Sequence, residues 1–93
     1  MTSLAKLKER LLTDPKVRSE YDRIGPVYEL VGAMVDARHD SGLTQEEIAA
    51  RMGTTQSVIA RLENANHMPS LALVTRYAAA LGRRIRFDLI PAE

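Results

Sequence analysis

Between Thr44 and Asn64, two short helical patterns are separated by a single glycine, and that spacing constrains the fold more than any other feature of the chain. The segment opens with Thr44-Gln45-Glu46-Glu47, a capping box in which the Thr hydroxyl and the Glu carboxylate each satisfy a free backbone N–H. Ile48 and Met52 then point one way, and Ala49 is small where two helices would cross closely. Gly53 supplies the positive φ of a sharp turn, and Thr54-Thr55 offers a second N-cap. Val58, Ile59 and Leu62 form the apolar side of the next helix. The pattern predicts a helix-turn-helix whose second helix begins near Gln56, with Gln56, Ser57, Ala60 and Arg61 left outward. Gln suits the edge of adenine, Arg that of guanine, and Ser either. An ordinary helical hairpin with polar outer residues is the competing reading.

The flanking residues extend the helical pattern in both directions. Leu4, Leu7 and Leu11 share one face of a first amphipathic segment, and Asp14-Pro15 reads as an N-cap and first helical residue. Val17, Tyr21 and Ile24 follow at helical spacing, and Gly25-Pro26 is expected to close that piece. Val27, Leu30, Val31, Met34 and Val35 then trace the stripe of a core-packed helix, with Gly42 just past its end. Ser70 caps a last helix carrying Leu71, Val74, Tyr77, Ala78 and Leu81, which Gly82 terminates. In Arg84-Ile85-Arg86-Phe87-Asp88-Leu89 the period changes to strict alternation, the signature of a half-buried strand. No second strand pattern exists in the chain, so the expected partner is the same strand of a second copy, joined through Ile85, Phe87 and Leu89.

The expected fold is all-α: a five-helix domain over residues 25–82, a short N-terminal helical extension over residues 1–24, and a C-terminal β-strand over residues 83–93 that pairs across a homodimer. The chain of 93 residues, 45% hydrophobic and without Trp or Cys, allows one aliphatic core and no disulfide or thiolate metal site. No secretory signal or membrane-spanning run is evident, so a cytoplasmic protein without membrane association is expected. The net charge of +1 is unevenly spread: +2 over residues 1–24, −2 over 25–82 and +1 over 83–93. A segment that is acidic overall holds phosphates weakly as a single copy, which points to a dimer or to cations concentrated on one face. Catalysis lacks an inventory. His39 and His67 are isolated from each other and from clustered carboxylates, and no metal or cofactor is expected.

The stretch from Leu43 to Leu81, LTQEEIAARMGTTQSVIARLENANHMPSLALVTRYAAAL, resembles the lambdoid-repressor/Cro type of helix-turn-helix, the XRE family. The resemblance implies a lambda-repressor-like fold that binds double-stranded operator DNA. It places Gln45 on phosphate and Thr55, Gln56, Ser57 and Arg61 at recognition positions. Asn64, Asn66 and His67 fall in the loop that follows the DNA backbone, where many relatives carry Lys or Arg. It also sets Arg38 opposite Glu63 as a buried structural ion pair. The flanks LLTDPKVRSEYDRIGPVYEL and ALGRRIRFDLIP are similar to HigA-type antitoxins. That narrower likeness implies an autorepressing antitoxin that neutralises an mRNA-cleaving toxin of the HigB/RelE type. Its toxin-facing anchors would be Leu4, Leu7, Leu11, Val17 and Tyr21, although Val17 and Tyr21 serve equally well as packing on the chain's own core. The alternatives are a stand-alone regulator without a toxin, and a toxin-binding module that hardly binds DNA.

Overall fold

The computed structural model describes residues 13–92, which contain four helices and no strand. They are α1 (Pro15–Asp40), α2 (Gln45–Met52), α3 (Gln56–Glu63) and α4 (Leu71–Ala80). Leu4, Leu7 and Leu11 lie outside the described residues.

Local signals set most helix ends. Asp14 caps α1 by accepting from the Lys16 amide, with Pro15 at the first helical position. Both halves of the capping box form at α2: the Glu47 amide donates to Thr44 Oγ1 at 3.1 Å, and the Thr44 amide donates to Glu47 Oε1 at 3.2 Å. Gly53 ends α2 at φ 67°, a conformation that costs a residue with a Cβ roughly 1–2 kcal/mol. Thr55 and Ser70 cap α3 and α4 through the amides of Val58 and Leu73.

One expectation is corrected. Gly25-Pro26 does not end a helix; α1 runs through it for 26 residues. Pro26 lacks the N–H that would donate to the carbonyl one turn back, yet the clash of its ring with the preceding side chain does not arise, because that residue is glycine. Gly25 is buried beneath the Tyr21 ring, and a Cβ there would stand 3.1 Å from two ring carbons. The Tyr21 hydroxyl continues past the joint and donates to Glu29 Oε1 at 3.1 Å, strapping the turns on either side of Pro26. The two helices expected on either side of this point are therefore one, and the five-helix count falls to four among the described residues.

In the single chain the tail stands unpaired. Residues 83–92 form no strand, because a lone edge has nothing within the chain to pair with. Ile85 folds back into the groove between α1 and α4, beside Leu30, Met34, Val74 and Leu81. Phe87, Leu89 and Ile90 are exposed. Leu71, placed by its register on the buried side of α4, is also exposed.

The core sits where α2 and α3 meet α1 and α4. Met34, Ile48, Ala49, Met52, Ile59, Leu62, Val74 and Tyr77 form one buried cluster. Ile48 and Ile59 have no exposed surface, and Ala49 is buried where α2 packs on α3. Each helix of the pair therefore contributes one fully buried isoleucine, which fixes their mutual angle by packing rather than by the turn alone.

Candidate nucleic-acid interface

Gln45 and Gln56 are each the first residue of their helix, and the packing of α2 on α3 brings their side chains together. Gln56 Nε2 donates to Gln45 Oε1 at 2.7 Å. Gln45 Nε2 in turn donates to Glu63 Oε1 at 3.0 Å, at the far end of α3. Glu63 is the hub of a buried polar cluster. Its Oε2 accepts from Arg38 Nε at 2.8 Å and its Oε1 from Arg38 Nη2 at 2.8 Å, a bidentate pair whose side chains are 8% and 5% exposed. The Tyr77 hydroxyl lies 2.9 Å from Glu63 Oε2 and 3.1 Å from the Met34 carbonyl oxygen, sharing one proton between two acceptors. Arg38 Nη1 donates to the Leu43 carbonyl at 2.8 Å, tying α1 to the turn before α2.

Each Glu63 oxygen thus receives two donors, which saturates the lone pairs of a carboxylate. Burial pushes the Glu63 carboxyl upward, but the hydrogen bonds from Arg38, Gln45 and Tyr77, with the Arg38 charge, outweigh it and hold the group below the usual carboxylate range. The hydrogen bond to Glu63 is the main cause that raises Arg38. Burial first, then the hydrogen bond and charge of Glu63, push the Tyr77 hydroxyl well above its ordinary value. Among the described residues no buried side-chain polar atom lacks a partner.

The outward face of α3 carries Gln56, Ser57 and Arg61, all exposed, with Ala60 half-buried between them. Thr55 is exposed, but its hydroxyl oxygen is occupied as the α3 cap. The following loop differs from a simple backbone-tracking coil. Asn64 Oδ1 accepts from the Asn66 amide at 3.1 Å, and Ala65 stands at φ 60°. The Asn64 side chain therefore builds the turn, while Asn66 and His67 are exposed. His67 and Arg61 line one surface cleft with Met68 and Ser70.

The cations of residues 25–82 are mostly committed elsewhere. Arg38 is buried; Arg51 donates to the Ala80 carbonyl at the end of α4, and Arg76 donates to the Met52 carbonyl at the end of α2. Among these arginines, Arg61 alone projects from the face that bears Gln56 and Ser57 with no such bond. Tyr77 is the participant that periodicity did not single out: it fell on an apolar stripe. A buried tyrosine needs a partner for its hydroxyl, and that requirement was the available signal.

Two short helices joined by a left-handed glycine turn, with a polar second helix facing out, define a helix-turn-helix domain. Residues 36–87 match the helix-turn-helix family, and the chain belongs to it, in its XRE-type branch of DNA-binding regulators. An HTH-type transcriptional regulator of Methanothermobacter thermautotrophicus is 52% identical over 46 residues, covering 50% of this chain and 67% of that protein. Antitoxin HigA1 of Mycobacterium tuberculosis is 31% identical over 83 residues, covering 89% of this chain but 56% of its own length. A second HTH-type transcriptional regulator, from Sinorhizobium fredii, is 38% identical over 55 residues, covering 58% of this chain and 71% of that protein. No solved structure is a significant match. No described helix is long and apolar enough to cross a membrane.

Proposed function

We propose that the chain is a sequence-specific operator-binding repressor that works as a homodimer and serves as the antitoxin of its operon. In this reading α3 enters the major groove, Gln56 and Arg61 read base edges, and Thr55 and Ser57 flank them. Gln45 fixes the approach to phosphate, and Asn66 and His67 follow the backbone beside the turn built by Asn64. The observation that carries the reading is the outward amide pair Gln45–Gln56, anchored on a buried carboxylate at the leading edge of α3. A solvated surface has no need of so rigid a support.

The dimer follows from charge and from the tail. One exposed arginine on the reading face neutralises few phosphates, so useful affinity needs two copies on one duplex. Phe87 and Leu89 lie uncovered in a segment of alternating pattern, and pairing it with the same segment of a second copy buries both. A two-fold dimer would set its recognition helices ~34 Å apart and select a pseudo-palindromic site. The antitoxin role rests on the likeness to HigA1, which runs beyond the helix-turn-helix. Val17 and Tyr21, half-buried on α1, together with Leu4, Leu7 and Leu11, would then meet a HigB/RelE-like toxin. The stand-alone regulator keeps its own support in the HTH-type regulators, whose likeness covers half of the chain to somewhat more.

The test is a titration on operator duplexes varied one base pair at a time. Gln56→Ala and Arg61→Ala should each lose about 1–3 kcal/mol of discrimination at one position and little elsewhere. Uniform weakening across all duplexes would remove the base-reading roles. Sedimentation of the full chain beside a version ending at Gly82 checks the dimer. The full chain should be dimeric and the shortened one monomeric, with operator affinity falling in parallel.

A further inference from the structure

The residues of the tail select one way for two copies of it to pair. In an antiparallel pair, residues equally far from the two-fold stand opposite each other and share a face. A two-fold at Phe87 sets Phe87 against itself, Ile85 against Leu89, and Arg86 against Asp88 in two opposite-charge pairs. A two-fold at Arg86 sets arginine on arginine, one at Asp88 sets acid on acid, and one at Ile85 sets Arg84 on Arg86. At Leu89 it would set Phe87 against Pro91, which has no N–H for the ladder. A centre between two residues mixes charged side chains into the apolar face. Alternation and charge therefore agree on Phe87. In the single chain Arg86 and Asp88 meet only each other, at 3.6 Å and both exposed, so each can re-pair across a two-fold.

That register puts Leu89 of a second copy beside Ile85, on the same face of the two-stranded ribbon. Ile85 already lies in the groove between α1 and α4, yet about 280 Å³ of that groove stays open. Ala33 and Ala37 of α1 and Ala78 of α4 line it, and their short side chains leave the space. Leu89 is fully exposed in the single chain. We infer, on the paired-tail dimer proposed above, that the α1/α4 groove is the seat for Leu89 of a second copy. Filling it couples the pairing of the tails to the footing of the recognition helix. The coupling has a physical path, because Met34 and Tyr77 line the same groove. The Tyr77 hydroxyl joins the Met34 carbonyl to Glu63 at the end of α3. A side chain wedged between α1 and α4 fixes the spacing that this hydroxyl has to bridge, since packed helices do not deform continuously.

The chain has no cysteine, so introduced thiols report single contacts. Phe87→Cys should give a disulfide-linked dimer on mild oxidation, because opposed residues at the two-fold stand about 4.5–5.5 Å apart. Arg86→Asp should weaken the dimer about tenfold by sedimentation, and adding Asp88→Arg should restore it. Full-length chains carrying Leu89→Cys, mixed with chains carrying Ala33→Cys or Ala37→Cys, should cross-link to them; Leu89→Cys alone should not cross-link. If Phe87→Cys links and neither mixture does, the seat is overturned while the paired tails stand. If Phe87→Cys gives no linked dimer, the paired tails fail and the seat falls with them. The coupling is read on the disulfide-linked Phe87→Cys dimer, where loss of Leu89 can no longer act by separating the copies. On duplexes selected from a randomised library by the unaltered protein, adding Leu89→Ala to that dimer should weaken binding about fivefold or more. Equal binding with and without Leu89 overturns the coupling.

Discussion

Arg38→Met is expected to lower the unfolding free energy by about 3–5 kcal/mol at neutral pH, measured by urea titration. The cost arises because Glu63 would stay buried without its guanidinium, at a side-chain exposure of 5%. The same change is expected to reverse the pH dependence. In the unaltered protein the folded Glu63 carboxyl lies below its unfolded value, so its contribution is present above the unfolded pKa and lost as pH falls through the folded one. Without Arg38, burial is the dominant influence and raises the group. The folded variant then binds a proton more readily than the unfolded chain, and should gain stability as pH falls from neutral, where the parent changes little. Replacing both residues by Met should recover a substantial part of the loss, since two apolar side chains leave no unpaired charge. A single Arg38→Met cost under about 1 kcal/mol would show that the pair is not structurally important.

Ile59→Ala is expected to cost about 2–5 kcal/mol, against about 0.5–1.5 for Ile59→Val. Ile59 is fully buried at the centre of α3, in the cluster that contains Ile48, Met52 and Tyr77. Its removal leaves a cavity beneath the outward face rather than at the molecule's periphery, so two readouts should move together. The urea midpoint falls, and operator affinity falls further than the folded fraction accounts for, because α3 loses the contact that sets its angle to α2. Equal small losses for both variants would mean that the site collapses easily and that packing does not orient the helix.

The parts of this molecule that could be read from the sequence are those encoded within a few residues. Thr44 and Glu47, Gly53, Thr55 and Ser70 each act within one helical turn, and each stands where its local chemistry requires. Gly25-Pro26 was misleading for the same reason. The pair carries a strong local stop signal, while the continuity of α1 depends on the Tyr21 ring lying over Gly25 and on burial of Val31 and Met34 further along. The polar relay was half legible. The family resemblance pairs Arg38 with Glu63, but the bonds from Glu63 to Gln45 and to Tyr77 span 18 and 14 residues and leave no periodic trace. The tail shows the opposite limit: alternation in Ile85, Phe87 and Leu89 states a preference for extended backbone, and only a second edge can turn that preference into a sheet.

The unbroken α1 carries a mechanical consequence. At 1.5 Å per residue its 26 residues measure about 39 Å, and one end is clamped into the core while the other carries Val17. A grip on its N-terminal turns takes hold of a lever rather than a tether. A displacement there arrives at Arg38, and hence at the footing of Glu63, as a tilt of the whole rod and not as slack in a linker. Inserting a flexible glycine-serine pair after Ile24 would convert rod to string, and comparing DNA binding before and after would measure how much the footing of Glu63 depends on the rod.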